Sequence, residues 1–166
     1  MASFRFALLC LALPLLAACS ASPTGPGTRA PVDGHGLVGV DLQGGAQRVD
    51  DSFAQNKLVT LVFWQDWCGS CLEEAPHVQA ASQSYADRIA FYGVVSGPDL
   101  TEQDFGLKNK VRELGLTYPQ VRDRDGSWST RFGVTSTPTV LVFSANGTLR
   151  FRGNHLPASW NDLLAN

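Results

Sequence analysis

Two cysteines two residues apart, Cys68 and Cys71 in Trp67-Cys68-Gly69-Ser70-Cys71, are the most reactive pair in the sequence. A thiolate is both a nucleophile and a redox centre, and a two-residue gap lets the two sulfurs reach bonding distance. A nearly continuous apolar run, Lys57 to Trp64, leads into the motif, and a helix-forming stretch, Gly69 to Ala86, follows it. The run reads as a strand buried on both faces. Cys68 therefore sits at a helix start, beside backbone N–H groups with no intrahelical partner and the positive end of the helix dipole. That setting stabilises a thiolate and lowers the pKa of Cys68, which predicts it as the attacking nucleophile. Cys71, one turn further in, is expected to resolve the mixed disulfide.

Two blander uses of the pair fit the sequence poorly. Half a zinc site would need two more ligands, and the sequence offers no second cysteine pair and only His35, His77 and His155. A purely structural disulfide would close too short a loop to stabilise much. Dithiol exchange needs neither cofactor nor metal, and none is expected.

The other cysteines are Cys10 and Cys19. Arg5, then an uncharged stretch from Phe6 to Ala18 rich in Leu and Ala, has the length of a signal-peptide core and is short for a membrane span. It ends in Leu16-Ala17-Ala18-Cys19, which resembles the bacterial lipobox. The resemblance implies cleavage after residue 18 and lipidation of Cys19, leaving Cys68 and Cys71 as the only free thiols. Two or more acyl chains anchor a protein stably to a membrane. Residues 19–36 are dominated by Pro, Gly and small residues and read as a tether. A flexible coil of that length spans roughly 20–25 Å.

The 166 residues hold 44% hydrophobic and 17% charged residues at a net charge of −2, composition for one globular domain over 37–166. No basic cluster points to nucleic acid. Leu37 to Leu42 and Ala46 to Val49 read as a hairpin across Gly44-Gly45. Pro76 is expected to kink the helix after the motif. Ile89 to Val95 is a second buried strand, Leu100 to Gly115 a helix, and Ser127 to Phe132 a short one. Thr139 to Phe143 and Thr148 to Arg152 form strands around an Asn146-Gly147 turn, and Pro157 to Leu164 closes the chain as a helix. This order gives an α/β fold, a mixed central sheet flanked by helices on both faces with an N-terminal hairpin extension.

The run Phe63 to Cys71, then Glu74-Ala75-Pro76, then Phe132 to Thr139 and Asn146-Gly147, resembles the thioredoxin superfamily, specifically its extracytoplasmic TlpA/ResA/CcmG-like branch. The resemblance implies a thioredoxin-like fold and a cis peptide bond at Thr137-Pro138, with Thr137 and Pro138 facing the dithiol and pairing with a substrate strand. It places Trp67 in the docking surface. Val62 stands where cytoplasmic thioredoxins have a buried acid. Glu74 matches a carboxylate that ResA-like proteins hold near their dithiol, which implies a raised pKa and proton exchange with Cys71. Glu73 is expected on the wet face. Gly69 and Ser70 occupy the redox-tuning positions between the cysteines, and Ser70 replaces a customary proline. Serine restores an N–H and adds a hydroxyl, both able to donate to the Cys68 thiolate and shift the couple toward a more oxidising potential.

The function so implied is reduction of protein disulfides outside the cytoplasm by a monomer on a lipid anchor. Electrons would come from a membrane thiol transporter of the CcdA/DsbD kind, and apocytochrome c is one candidate acceptor. Ser20, rather than Asp, follows Cys19, which leaves inner or outer membrane open. Two alternatives stand: an oxidase or isomerase using the same dithiol, and a thioredoxin-fold copper-delivery module, although copper chaperones of this fold space their cysteines one residue further apart.

Overall fold

A computed structural model of the chain describes residues 32–55, 57–97 and 101–165, with the side chains of 101–103 excepted. The chain divides into two units, 1–30 and 31–166. The signal segment, Cys19 and the tether up to residue 31 lie outside the described residues.

The elements run β1 (Val38–Asp41), β2 (Ala46–Arg48), α1 (Val49–Ala54), β3 (Leu58–Phe63), α2 (Gly69–Ser84), β4 (Ile89–Ser96), α3 (Thr101–Glu113), β5 (Gln120–Asp123), α4 (Ser127–Phe132), β6 (Thr139–Phe143), β7 (Leu149–Gly153) and α5 (Trp160–Leu164). Seven strands form one sheet in the order β2-β1-β5-β4-β3-β6-β7. β3, β4 and β5 pair in parallel, and β1, β6 and β7 join antiparallel. The hairpin β1–β2 extends one edge.

β3 lies inside the sheet, between β4 and β6, and is buried along its whole length. Its side chains alternate between two cores, as a pleated strand requires. Val59, Leu61 and Phe63 pack with Phe53 of α1 and with Trp128 and Phe132 of α4. Leu58 and Val62 pack with Val78 and Ala81 of α2 and Trp160 of α5. Helices therefore cover both faces. Each fully buried Val, Leu or Phe contributes about 1.5–3 kcal/mol. α2 continues unbroken through Pro76.

Three features differ from the sequence reading. Val49 does not end a strand but opens α1, a six-residue helix whose Arg48 N-cap makes no side-chain cap bond. β5 was not expected, because Gln120, Arg122 and Asp123 are polar, yet all are buried. Arg122 pairs with Asp104 at 2.8 Å and donates to Val95 O, and Asp123 accepts the backbone N–H groups of Trp128 and Ser129 at the start of α4. Packing also begins before Leu37. Asp33 bridges to Thr148, Gly34 N donates to Gly147 O, and Arg131 donates to the carbonyls of Asp33 and His35. Residues 32–36 thus belong to the folded unit rather than to a tether.

Candidate active site

β3 delivers the chain at one end of the sheet, and Trp64 to Trp67 turn it into α2. Cys68 is the N-cap of that helix, with extended backbone (φ −86°, ψ 104°). Its Sγ accepts a hydrogen bond from Cys71 N at 3.3 Å. The sulfur thus occupies the place a Ser or Asp oxygen takes in an ordinary cap, satisfying one free N–H of the first turn. Cys68 and Cys71 are joined by a disulfide, with Cα atoms 5.2 Å apart. Both are buried, Cys68 at 7% exposure and Cys71 at 3%. Ser70 is exposed, and its Oγ lies 3.6 Å from Cys68 Sγ. Gly69 faces open space.

The Thr137-Pro138 bond is cis, and Thr137 O lies 3.5 Å from Cys68 Sγ. The loop before β6 therefore abuts Cys68 Sγ. Trp67 is 74% exposed, unusual for a residue that is normally at least half covered. Between Trp67 and residues 134–137 lies an open cavity of about 250 Å³. Its inner wall includes Gln65 and Ser96, joined by a bond from Gln65 Nε2 to Ser96 O. An exposed aromatic, a cavity and the loop before β6, all beside the Cys68–Cys71 disulfide, form a surface on which an extended peptide can lie.

Glu73 is exposed, as expected. The Glu74 side chain is 12% exposed. Its Oε1 accepts Leu156 N at 2.8 Å and its Oε2 lies 3.2 Å from His155 Nδ1. Both oxygens are engaged by the segment after β7, so the carboxylate ties α2 to that segment.

Sequence reasoning missed the polar group behind the dithiol. Gln120, 1% exposed, accepts the Trp64 indole N–H at 2.9 Å and donates to Tyr118 O at 3.0 Å. Gly93 on β4 makes the room: a Cβ there would overlap the Gln120 side chain. Trp64 and Tyr118 line a small, narrow cavity together with Cys71, Val62 and Pro138. The available signal was a glycine within an apolar strand, which marks close approach by a neighbour. No group of three or more His, Cys, Asp or Glu residues is placed to hold a metal among the described residues. No helix among them is long and apolar enough to cross a membrane.

Comparison with known proteins places this geometry. The AhpC/TSA family model matches residues 29–152. The chain is 29% identical over 112 residues to the thiol-disulfide oxidoreductase ResA of Bacillus thuringiensis subsp. konkukian, covering 67% of this chain and 61% of that protein. It is 29% identical over 117 residues to the soluble secreted antigen MPT53 of Mycobacterium tuberculosis, covering 70% and 64%. The chain thus spans less than two thirds of the length of these relatives. The thioredoxin domain of a thiol-disulfide oxidoreductase from Bacteroides vulgatus superposes with a TM-score of 0.65 at 22% identity, over 82% of this chain and 99% of that one. The fold is thioredoxin-like.

Proposed function

We propose that this chain, which belongs to the AhpC/TSA family, is a thiol–disulfide oxidoreductase that reduces protein disulfides outside the cytoplasm. One observation carries the reading: Cys68 Sγ caps α2 while lying against the carbonyl of Thr137 at the cis bond. The attacking sulfur and the edge that would hold a substrate strand are thereby side by side.

The reduced Cys68 thiolate attacks one sulfur of a substrate disulfide, and the other sulfur leaves as a thiolate that takes up a proton. Cys71, deprotonated, then attacks Cys68 Sγ and expels the second substrate thiol. Two electrons pass to the substrate and the Cys68–Cys71 disulfide remains. Trp67, Thr137 and Pro138 hold the substrate; Gly69 and Ser70 tune the couple.

The name of the secreted antigen MPT53 supports an extracytoplasmic setting. Lipidation at Cys19 would hold the domain at a membrane, with a CcdA/DsbD-type transporter as electron donor and oxidised proteins such as apocytochrome c as acceptors. Trapping with Cys71→Ala in the native host tests this. Stable mixed disulfides through Cys68 are expected, and their absence under oxidising conditions overturns the reading.

Ser70 favours a second reading, oxidation or isomerisation by the same dithiol, because its Oγ lies 3.6 Å from Cys68 Sγ and can donate to the thiolate. The reduction potential and the redox state of the pair in the cell separate the two directions.

A further inference from the structure

Resolution requires Cys71 to lose its proton, yet Cys71 is 3% exposed. The carboxylate one turn further along α2, Glu74, is engaged with Leu156 and His155. The proton must leave by another route.

The narrow cavity beside Cys71 holds about 10 Å³, room for one water at most. No Asp, Glu, His, Lys or Arg is among its lining residues. Besides Cys71, the lining side chains with an exchangeable proton are Trp64 and Tyr118. The single indole proton of Trp64 is committed to Gln120 Oε1 at 2.9 Å. That leaves the Tyr118 hydroxyl.

Tyr118 also lines a second cavity, of about 320 Å³, which opens to solvent beside Lys57, Gln83 and Thr117. One residue therefore borders both the narrow space at Cys71 and an open surface cavity. It packs against the core holding Cys71 and the core on the far side of α2. Gln120 holds its backbone in place by donating to the Tyr118 carbonyl at 3.0 Å.

We propose that the Tyr118 hydroxyl relays the proton between Cys71 and solvent, with Gln120 as its positioning residue. The inference rests on the dithiol reading above. When Cys71 attacks Cys68 Sγ, the S–H proton passes to the Tyr118 oxygen, directly or through one water, as the tyrosine releases its own proton toward the open cavity. Tyr118 ends neutral and no electrons move through it. Burial pushes its phenol above the usual range, so it stays protonated and works as a relay rather than as a base.

The test is Tyr118→Phe in the full chain, which keeps the ring against Phe91 and removes only the oxygen. Reduced protein is mixed with a disulfide-bonded peptide, quenched at intervals, and the Cys68–peptide mixed disulfide is followed by mass spectrometry. Its decay is expected to slow roughly tenfold or more, with an altered solvent deuterium isotope effect. The reduction potential and the rate of mixed-disulfide formation should stay at wild-type values, because a relay changes a rate and not an equilibrium. Adding Val62→Asp, which places a carboxyl on the same cavity, should restore part of the decay rate. Decay at the wild-type rate, or slower decay with a shifted potential, overturns the relay. If wild type forms no mixed disulfide, the dithiol reading falls and the relay with it; if wild type turns over and Tyr118→Phe equals it, only the relay falls.

Discussion

Cys71 N donates to Cys68 Sγ at 3.3 Å, so one sulfur of the disulfide is the N-cap of the helix that carries the other. Forming the disulfide and capping the helix use the same atom. In the reduced protein this geometry turns the cap bond into a charge-assisted one, stronger than its neutral counterpart. The reduced state is stabilised as the thiolate, and every other donor near Cys68 Sγ adds to that effect.

Ser70 is such a donor. A hydrogen bond to a charged group is worth about 1.5–3 kcal/mol, or roughly 30–60 mV for a two-electron couple. Ser70→Ala and Ser70→Pro are both expected to make the couple more reducing by up to that amount and to slow alkylation of Cys68 at neutral pH. Equilibration against glutathione buffers reads the potential. A variant that is unchanged or more oxidising would show that the hydroxyl at 3.6 Å does not tune the sulfur.

Trp67 separates binding from folding. Its side chain is largely in water, so little packing is lost on truncation. Trp67→Ala should change stability by no more than about 0.5 kcal/mol, as at an exposed position. If Trp67 anchors a bound peptide, the variant should weaken capture of protein substrates by about 2 kcal/mol, roughly thirtyfold, while exchange with a small disulfide is nearly unchanged. Equal losses on both substrates would remove Trp67 from the docking surface.

What the sequence disclosed follows from how locally each feature is determined. The apolar run of β3, the strand β6 and the Trp-Cys-Gly-Ser-Cys turn announce themselves by composition within a few residues. β5 does not. Gln120, Arg122 and Asp123 give no apolar strand pattern, and the partners that let them be buried, Trp64, Asp104 and the start of α4, are distant in sequence. α1 was hidden by its six-residue length and missing cap. Val32 to Gly36 continue a Pro- and Gly-rich stretch and so read as part of the tether; here the carbonyls of Asp33 and His35 accept from Arg131 and Gly34 donates to Gly147. Glu74 shows the same limit at the site. Its spacing from Cys71 was legible, but the partners of its oxygens depend on where the chain goes after β7.

Those partners make Glu74 testable. Glu74→Gln retains an acceptor for Leu156 N and is expected to preserve both stability and resolution rate. Glu74→Ala leaves that N–H without its partner and should cost about 1–3 kcal/mol, seen as a lower midpoint in urea. If Glu74→Gln folds as wild type yet resolves mixed disulfides much more slowly at neutral pH, the carboxylate exchanges protons with Cys71 after all.

The pairing of Gly93 with Gln120 can be tested from both sides. A Cβ at position 93 would collide with the Gln120 amide, and overpacking of this kind costs about 1–3 kcal/mol. At roughly 2–4 °C per kcal/mol for a chain of this size, Gly93→Ala should lower Tm by several degrees. Gln120→Ala relieves nothing by itself: it leaves the Trp64 N–H buried without its acceptor and opens a void, so it too should destabilise. The double variant is informative because the two losses have one cause in common. With the amide gone, the methyl at 93 has space to occupy, and the combined loss should be smaller than the sum of the single losses by about 1 kcal/mol or more. Thermal and urea denaturation of the four proteins gives this coupling directly. Strict additivity would mean that Gly93 is required for some neighbour other than Gln120.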